Sequence, residues 1–150
     1  MPVVEESVFI ARPPEEVFDF ITNPAKIPIW DASVMAAEQI GSDPVGLGIR
    51  TRGTSKIMGR QFDWITEQTV FEPPTRSVLS SVEGQLTFTV TSTLEPAEGG
   101  TRLTYRIDAD PGLGGVFGRL ADPFIEKAQA RTVRANLDTL AELLGEHPEG

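Results

Sequence analysis

The sequence predicts an α+β domain in which a curved antiparallel sheet of seven strands packs against one long C-terminal helix. Two observations predict this class. Between residues 33 and 110 the chain alternates apolar and polar side chains in short segments, and from about residue 123 its apolar residues recur at helical spacing. The length of 150 residues suits one domain over residues 1–150, with 146–150 expected to be a disordered tail.

The first elements are a strand and two short helices. Apolar residues alternate with polar ones over residues 3–11 and predict a strand, which two prolines end. Pro14 suits the first turn of a helix over residues 14–22, because that position needs no backbone N–H. Asn23 followed by a proline is typical of a helix cap, so we expect a second small helix that ends near Pro28.

Six further strands follow. Their expected bounds are residues 33–40, 47–56, 60–72, 76–83, 85–95 and 101–110. Phe88 falls on the apolar face of the segment 85–95. Tyr105 falls between Leu103 and Ile107 on the apolar face of the last segment. This alternation is typical of an antiparallel sheet with one buried and one solvated face, so the Tyr105 hydroxyl needs a partner inside.

The long helix is predicted over residues 123–144, with Asp122 as its cap and Gly145 as its stop. A glycine-rich segment over residues 112–118 precedes it. This segment lacks the phosphate-binding patterns of nucleotide sites, and we expect it to be a pliable gate beside the helix.

Three polar residues fall within the broad apolar face of this helix. They are Gln129, Thr132 and Asn136, and Val133 is among the apolar residues on the same face. A buried amide without a partner destabilises a fold by about 1 to 3 kcal/mol. Either strand backbone or water satisfies these groups, or the face borders a cavity in which they orient a ligand.

A cavity is expected from the order of elements. One long helix and two short ones cannot fill the concave face of a seven-stranded sheet. The space between them should be apolar with a few polar groups, which is the usual character of a small-molecule site.

The composition excludes several kinds of chemistry. The chain has no cysteine, a single histidine at His147 near its end, and a net charge of −9. Thiol nucleophiles, disulfides, metal centres and Ser-His-Asp triads are therefore not expected, and no cofactor is implied. The acidity disfavours nucleic acid as a partner. No signal peptide or transmembrane segment is recognisable, so a cytoplasmic location is expected.

Short strings along nearly the whole chain carry a family resemblance. They are residues 10–18 (IARPPEEVF), Asn23-Pro24 with Trp30, residues 46–50 (GLGIR), 72–76 (EPPTR), 99–103 (GGTRL) and 134–137 (RANL). In this order the strings resemble the START-like helix-grip superfamily, and specifically its polyketide cyclase/dehydrase branch, often labelled SRPBCC. Each string is weak alone, but the ordered set is fairly specific for the fold.

The resemblance implies a helix-grip fold and three classes of function. The first is binding of a small hydrophobic molecule, lipid-like, aromatic or polyketide-like, in the internal cavity. The second is a cyclase, aromatase or dehydratase that confines a reactive polyketone without a metal or covalent nucleophile. The third is a protein-interaction or stress-response module. The oligomeric state and the identity of a ligand do not follow from the sequence.

Candidate ligand contacts combine the pattern and the resemblance. They are Trp30, Trp64, Phe88, Tyr105, Gln129, Thr132, Val133 and Asn136. Trp30 lies where the family's tryptophan lines the cavity mouth. Trp64 can point to either face of its strand, and its bulk favours the inner one. Each of these residues could instead be an ordinary packing residue.

Catalytic candidates are fewer and depend on which face each residue occupies. Arg50 and Arg52 share one face of their strand; on the concave face they could stabilise an enolate, and on the other they are solvated. Asp31 could carry out acid-base work at a cavity mouth or could serve only the turn after the helix. Tyr105 could contact a ligand oxygen, donate a proton or be a core tyrosine.

Overall fold

The computed structural model describes residues 3–57, 59–84, 87–109 and 123–145. Within these ranges seven strands and three α-helices are present. The strands are β1 Val3–Ile10, β2 Val34–Ile40, β3 Arg50–Ile57, β4 Arg60–Glu72, β5 Arg76–Gly84, β6 Phe88–Ala97 and β7 Gly100–Ala109. The helices are α1 Pro14–Thr22, α2 Ile27–Trp30 and α3 Pro123–Gly145, with a 3₁₀ turn at Pro24–Lys26. The predicted α+β class and the order of its elements are confirmed.

The strands form one antiparallel sheet in the order β1-β7-β6-β5-β4-β3-β2. Its two edges, β1 and β2, are joined in sequence by α1, the 3₁₀ turn and α2. Helix α3 contacts β1 and α2, while α1 contacts β6 and β7. The short helices therefore lie between the edge strands in sequence and over the inner face of the sheet in space.

Two predicted boundaries are wrong for local reasons. Strand β3 begins at Arg50 rather than residue 47, because Gly48 has a φ of +84° and its N–H donates to the carbonyl of Gln68 at 2.8 Å. This turn uses a backbone conformation that glycine adopts without strain. Helix α2 continues past Pro28 to Trp30, because the proline lies in the first turn, where its missing N–H is not needed.

The main apolar core lies between α1, α3 and one end of β6 and β7. Its fully buried side chains include Ile10, Val17, Phe18, Leu94, Leu103, Leu137 and Leu140. Each such side chain contributes about 1.5 to 3 kcal/mol on leaving water. The stripe predicted for α3 is thus the face that the helix buries, although its N-terminal side chains and the Asp122 cap lie outside the described residues.

Arg12, two residues after the end of β1, joins this core to the end of α3. Its Nε donates to the carbonyl of Leu144 at 2.8 Å, and its Nη1 lies 3.3 Å from Glu16. The hydroxyl of Thr101 donates to the Arg12 carbonyl at 2.7 Å. A cation at the C-terminal end of a helix is favourable, since the last carbonyls carry partial negative charge. Arg12 therefore fixes where the long helix ends.

Candidate functional site

The candidate site begins where α2 ends, at Trp30 and Asp31. Asn23 accepts a hydrogen bond from the N–H of Ala25 at 3.0 Å, as the capping pattern predicts, and this starts the 3₁₀ turn that leads into α2. The helix ends with the Asp31 N–H donating to the carbonyl of Ile27 at 2.9 Å. Trp30 and Asp31 are then buried, with 3% and 8% of their surface exposed.

Asp31 is the centre of a hydrogen-bond network between this turn and α3. Its Oδ1 accepts from the Ser33 N–H at 3.0 Å, from the Ser33 hydroxyl at 2.7 Å and from Asn136 Nδ2 at 3.0 Å. Asn136 Oδ1 in turn accepts from the N–H of Ala32 at 3.1 Å. The turn role that the sequence left open for Asp31 is therefore present. The same carboxyl group is also held inside the fold.

Tyr105 on β7 packs against this network. Its ring meets the Trp30 ring edge-on, with centroids 5.6 Å apart and an interplanar angle of 84°. Burial and the nearby Asp31 carboxyl raise the pKa of the Tyr105 hydroxyl well above its ordinary value. Tyr105 is thus a neutral hydroxyl that can donate a hydrogen bond across the neutral pH range.

The pKa of Asp31 is also raised. Burial is the larger cause, because a charged carboxylate is poorly solvated there, and the hydrogen bonds from Ser33 and Asn136 lower the pKa by less than burial raises it. The described residues place no lysine or arginine in an ion pair with this carboxyl. A carboxyl with a raised pKa beside a neutral phenol is a suitable pair for binding or transferring a proton.

Three polar atoms around Trp30 and Tyr105 remain without a protein partner in the described part of the chain. Trp30 Nε1 is buried and makes no hydrogen bond. The described hydrogen bonds include none from the Tyr105 hydroxyl and none to Asp31 Oδ2. Buried donors nearly always have a partner, so an unpartnered indole N–H points to a bound water or ligand. We call Trp30, Asp31 and Tyr105 the polar cluster.

A row of polar side chains crosses the inner face of the sheet and ends at Tyr105. Gln68 Nε2 donates to the Ser77 hydroxyl at 2.5 Å, Ser77 lies opposite Ser92, and Ser92 lies opposite Tyr105. All four side chains are buried. The sequence analysis did not select Gln68, Ser77 or Ser92. The alternation of apolar and polar residues along β4 and β6 could have revealed two of them, because it places Gln68 and Ser92 on the apolar faces of these strands.

A second polar position on the inner face is Thr66 on β4. It is 2% exposed and its hydroxyl has no partner in the described residues. Its neighbours across the sheet are Thr51 on β3 and Ser81 on β5. The middle of the concave face is therefore lined with hydroxyl groups rather than with aliphatic side chains.

Trp64 closes the other end of this face. Its Nε1 donates to the Ser55 hydroxyl at 2.8 Å, and its ring meets Phe88 edge-on at 6.1 Å. The indole lies over Gly53, its cross-strand partner, where an added Cβ would overlap the ring. Trp64 thus occupies the inner face, as its bulk suggested, and needs glycine at residue 53.

The comparisons with known proteins agree with this architecture. Residues 1–145 match the family model described as polyketide cyclase / dehydrase and lipid transport. The chain belongs to this family. No protein with a curated function matches the sequence of this cyclase/dehydrase family member.

Solved structures similar to this family member show the same START-like fold. A protein from Thermus thermophilus superposes with a TM-score of 0.78 at 24% identity, over 94% of this chain and 95% of that one. A START superfamily protein from Mycobacterium smegmatis superposes with a TM-score of 0.75 at 14% identity, over 96% of this chain and 97% of that one. A protein from Deinococcus radiodurans superposes with a TM-score of 0.70 at 19% identity, over 95% of this chain and 97% of that one. Identities this low establish the fold alone.

Two of the catalytic candidates lie away from the inner face of this cyclase/dehydrase family member. Arg50 and Arg52 project from the outer face of β3, because Thr51 between them is the residue that points inward. Arg50 pairs with the half-buried Glu67 at 3.2 Å and Arg52 with the exposed Glu38 at 3.3 Å, and both arginines are exposed to solvent. The solvated alternative is therefore the correct one, and neither arginine can reach a ligand on the concave side.

The candidates on α3 separate into three groups. Val133 and Asn136 are buried, with 4% and 7% exposed. Thr132 is exposed, which corrects its placement on the inner face. Thr132 lies about 100° around the helix from Val133 and falls at the edge of the buried stripe. The side chain of Gln129, the segment 112–118 and the tail 146–150 lie outside the described residues.

Crossing a membrane requires a helix of sufficient length and apolar character. Of the helices in the described ranges, none is both long and apolar enough to span a bilayer.

Proposed function

We propose that the protein binds a small, mostly apolar molecule that carries an oxygen function, between the inner face of the sheet and α3. The observation that carries this proposal is the polar cluster, where a buried indole N–H has no partner and its ring packs edge-on against a buried tyrosine whose hydroxyl is neutral. A ligand oxygen would satisfy the indole N–H. The aromatic side chains of Trp64 and Phe88 supply apolar contact farther along the same face.

Family membership supports the same proposal. The family description names polyketide cyclisation, dehydration and lipid transport, all of which involve largely apolar molecules with oxygen groups. The concave face matches such a molecule in kind, since aromatic rings at its two ends flank hydroxyl and amide groups in its middle. Apolar burial would supply most of the affinity, and the polar groups would fix the orientation.

The test is a fluorescence titration with N-phenyl-1-naphthylamine, an uncharged probe that brightens in apolar surroundings. We expect saturable binding to one site. Ser92→Leu should abolish it by filling the space beside Tyr105, whereas Thr91→Leu places the same residue on the outer face of β6 and should bind like the wild type. Non-saturable brightening, or unchanged binding by Ser92→Leu, would contradict the proposal.

A second candidate function is dehydration of a hydroxylated polyketone, and it is favoured by the Asp31 carboxyl group, which lies close enough to raise the pKa of Tyr105. Asp31 would remove a proton from the carbon next to a carbonyl while Tyr105 donates its proton to the departing hydroxyl, which leaves as water. Transfer of the proton from Asp31 to the tyrosinate would restore both groups. The neutral state of Tyr105 suits the acid, and the raised pKa of Asp31 suits the base.

This activity is tested with a β-hydroxy ketone thioester, by the absorbance of the conjugated product. Asp31→Asn and Tyr105→Phe should each lower kcat by about 10²-fold or more. Arg50→Gln should leave it unchanged, because Arg50 lies on the outer face. If wild-type protein binds the thioester but forms no product, binding is the function that remains.

A further inference from the structure

The inner face carries a buried acidic group that is not balanced by a paired cation in the described residues. Among the described residues that are buried, the charged ones are Arg12 and Asp31. The Arg12 side chain is engaged with Glu16 and the end of α3. Asp31 therefore contributes a carboxyl group to the interior with no cation paired to it in the described part of the chain.

The two oxygens of the Asp31 carboxyl group differ in the number of hydrogen bonds that they accept. Oδ1 already accepts three hydrogen bonds, from the backbone and hydroxyl of Ser33 and from Asn136. Oδ2 accepts none from the described residues, so it is the oxygen that can accept a hydrogen bond from a ligand. The Tyr105 hydroxyl is a donor close enough to this carboxyl group for its charge to raise the Tyr105 pKa, and the Trp30 ring, with its unpartnered Nε1, packs edge-on against Tyr105.

This set of atoms matches a hydroxyl group better than a carboxylate. A ligand hydroxyl both donates and accepts, so it can donate to Asp31 Oδ2 and accept from Trp30 or Tyr105. A ligand carboxylate can only accept, so it has nothing to donate to Oδ2, and its negative charge would lie beside an acidic side chain with no cation paired to it in the described part of the chain. Burial of a charge without a paired cation is unfavourable.

We propose that Asp31 makes the polar cluster selective for neutral hydroxylated ligands, such as phenols and alcohols, over the corresponding carboxylates. This inference rests on the proposed binding function and names the ligand class of that site. Asp31 is the specificity-determining group, and Trp30 with Tyr105 orients the ligand oxygen.

The test compares three probes of one shape by calorimetry at neutral pH: naphthalene, 2-naphthol and 2-naphthoate. Wild-type protein should bind 2-naphthol about ten-fold or more tightly than 2-naphthoate. Asp31→Asn should raise the affinity for 2-naphthoate, so that the ratio of the 2-naphthol affinity to the 2-naphthoate affinity falls to about two-fold. Asp63→Asn removes the same charge from the outer face of β4, where Asp63 accepts from the Thr54 hydroxyl at 2.8 Å, and should keep the wild-type ratio.

The ratio of the two affinities is measured first on the wild-type protein, so this part of the test does not require any variant to fold. Equal affinity of the wild type for 2-naphthol and 2-naphthoate would overturn the selectivity of the site. A folded Asp31→Asn protein with the wild-type ratio would overturn the role of Asp31. Failure of all three probes to bind would overturn the proposed function itself, whereas binding of naphthalene without discrimination would leave that function standing and remove only this inference.

Discussion

Replacement of Asn136 by leucine tests whether the network between α3 and the turn after α2 holds the fold together. Asn136 makes two hydrogen bonds, one accepted from the N–H of Ala32 at 3.1 Å and one donated to Asp31 Oδ1 at 3.0 Å. Leucine has the same number and branching of side-chain heavy atoms as asparagine and a larger volume, so the substitution removes both bonds without opening a cavity. It separates a structural role for Asn136 from a purely ligand-orienting one.

The magnitude follows from the two bonds. A neutral bond contributes about 0.5 to 1.5 kcal/mol and a bond to a charged group about 1.5 to 3 kcal/mol. The added apolar surface of leucine offsets part of the loss, so we expect the free energy of unfolding to fall by about 2 to 3 kcal/mol. In a domain of 150 residues this lowers the Tm by about 4 to 12 °C.

The assay is urea denaturation followed by far-UV circular dichroism. Asp138→Leu is the matched control, because it puts leucine at an exposed position of the same helix and should change stability by less than about 0.5 kcal/mol. In an Asp31→Asn background the effect of Asn136→Leu should be smaller, since the charged acceptor is gone. A stability of Asn136→Leu equal to that of the wild type would refute the structural role.

Three further outcomes are expected. Gly53→Ala should destabilise by about 2 to 3 kcal/mol in urea denaturation, because the new methyl group would overlap the Trp64 ring. Asp31→Asn should gain stability relative to the wild type as the pH of the denaturation series rises above about 4. Burial raises the pKa of the Asp31 carboxyl in the folded state above its value in the unfolded state. The stability that this carboxyl contributes to the wild type is therefore complete below about pH 4 and is lost as the pH rises through the folded-state pKa. Arg12→Lys should lose the bond to the Leu144 carbonyl and speed amide hydrogen exchange in the last turn of α3.

Each of these outcomes has its own check. Gly46→Ala, where an added Cβ meets nothing closer than 3.9 Å, should be close to neutral, and a Gly53→Ala protein as stable as the wild type would contradict the contact with Trp64. A constant stability difference between Asp31→Asn and the wild type across pH would contradict the buried carboxyl. Unchanged exchange at the end of α3 in Arg12→Lys would mean that Arg12 does not fix that end.

Much of the local structure is determined by nearest neighbours in the chain. Capping by Asn23, the proline-started helices and the alternation in β6 and β7 depend on residues within a few positions, and the structure agrees with them. The same alternation placed Tyr105 on the buried face. The strings along the chain led to the correct family.

Long-range pairing decided what the sequence left open. The face occupied by Arg50 and Arg52 depends on the register of β3 with its neighbours, and a shift of one residue would reverse it. The partner of Asn136 is Asp31, 105 residues away, and no local pattern reveals such a contact. Thus the sequence by itself determined the fold, the lack of cysteine and the inward tyrosine, whereas tertiary packing determined that a buried carboxyl group lies beside Tyr105.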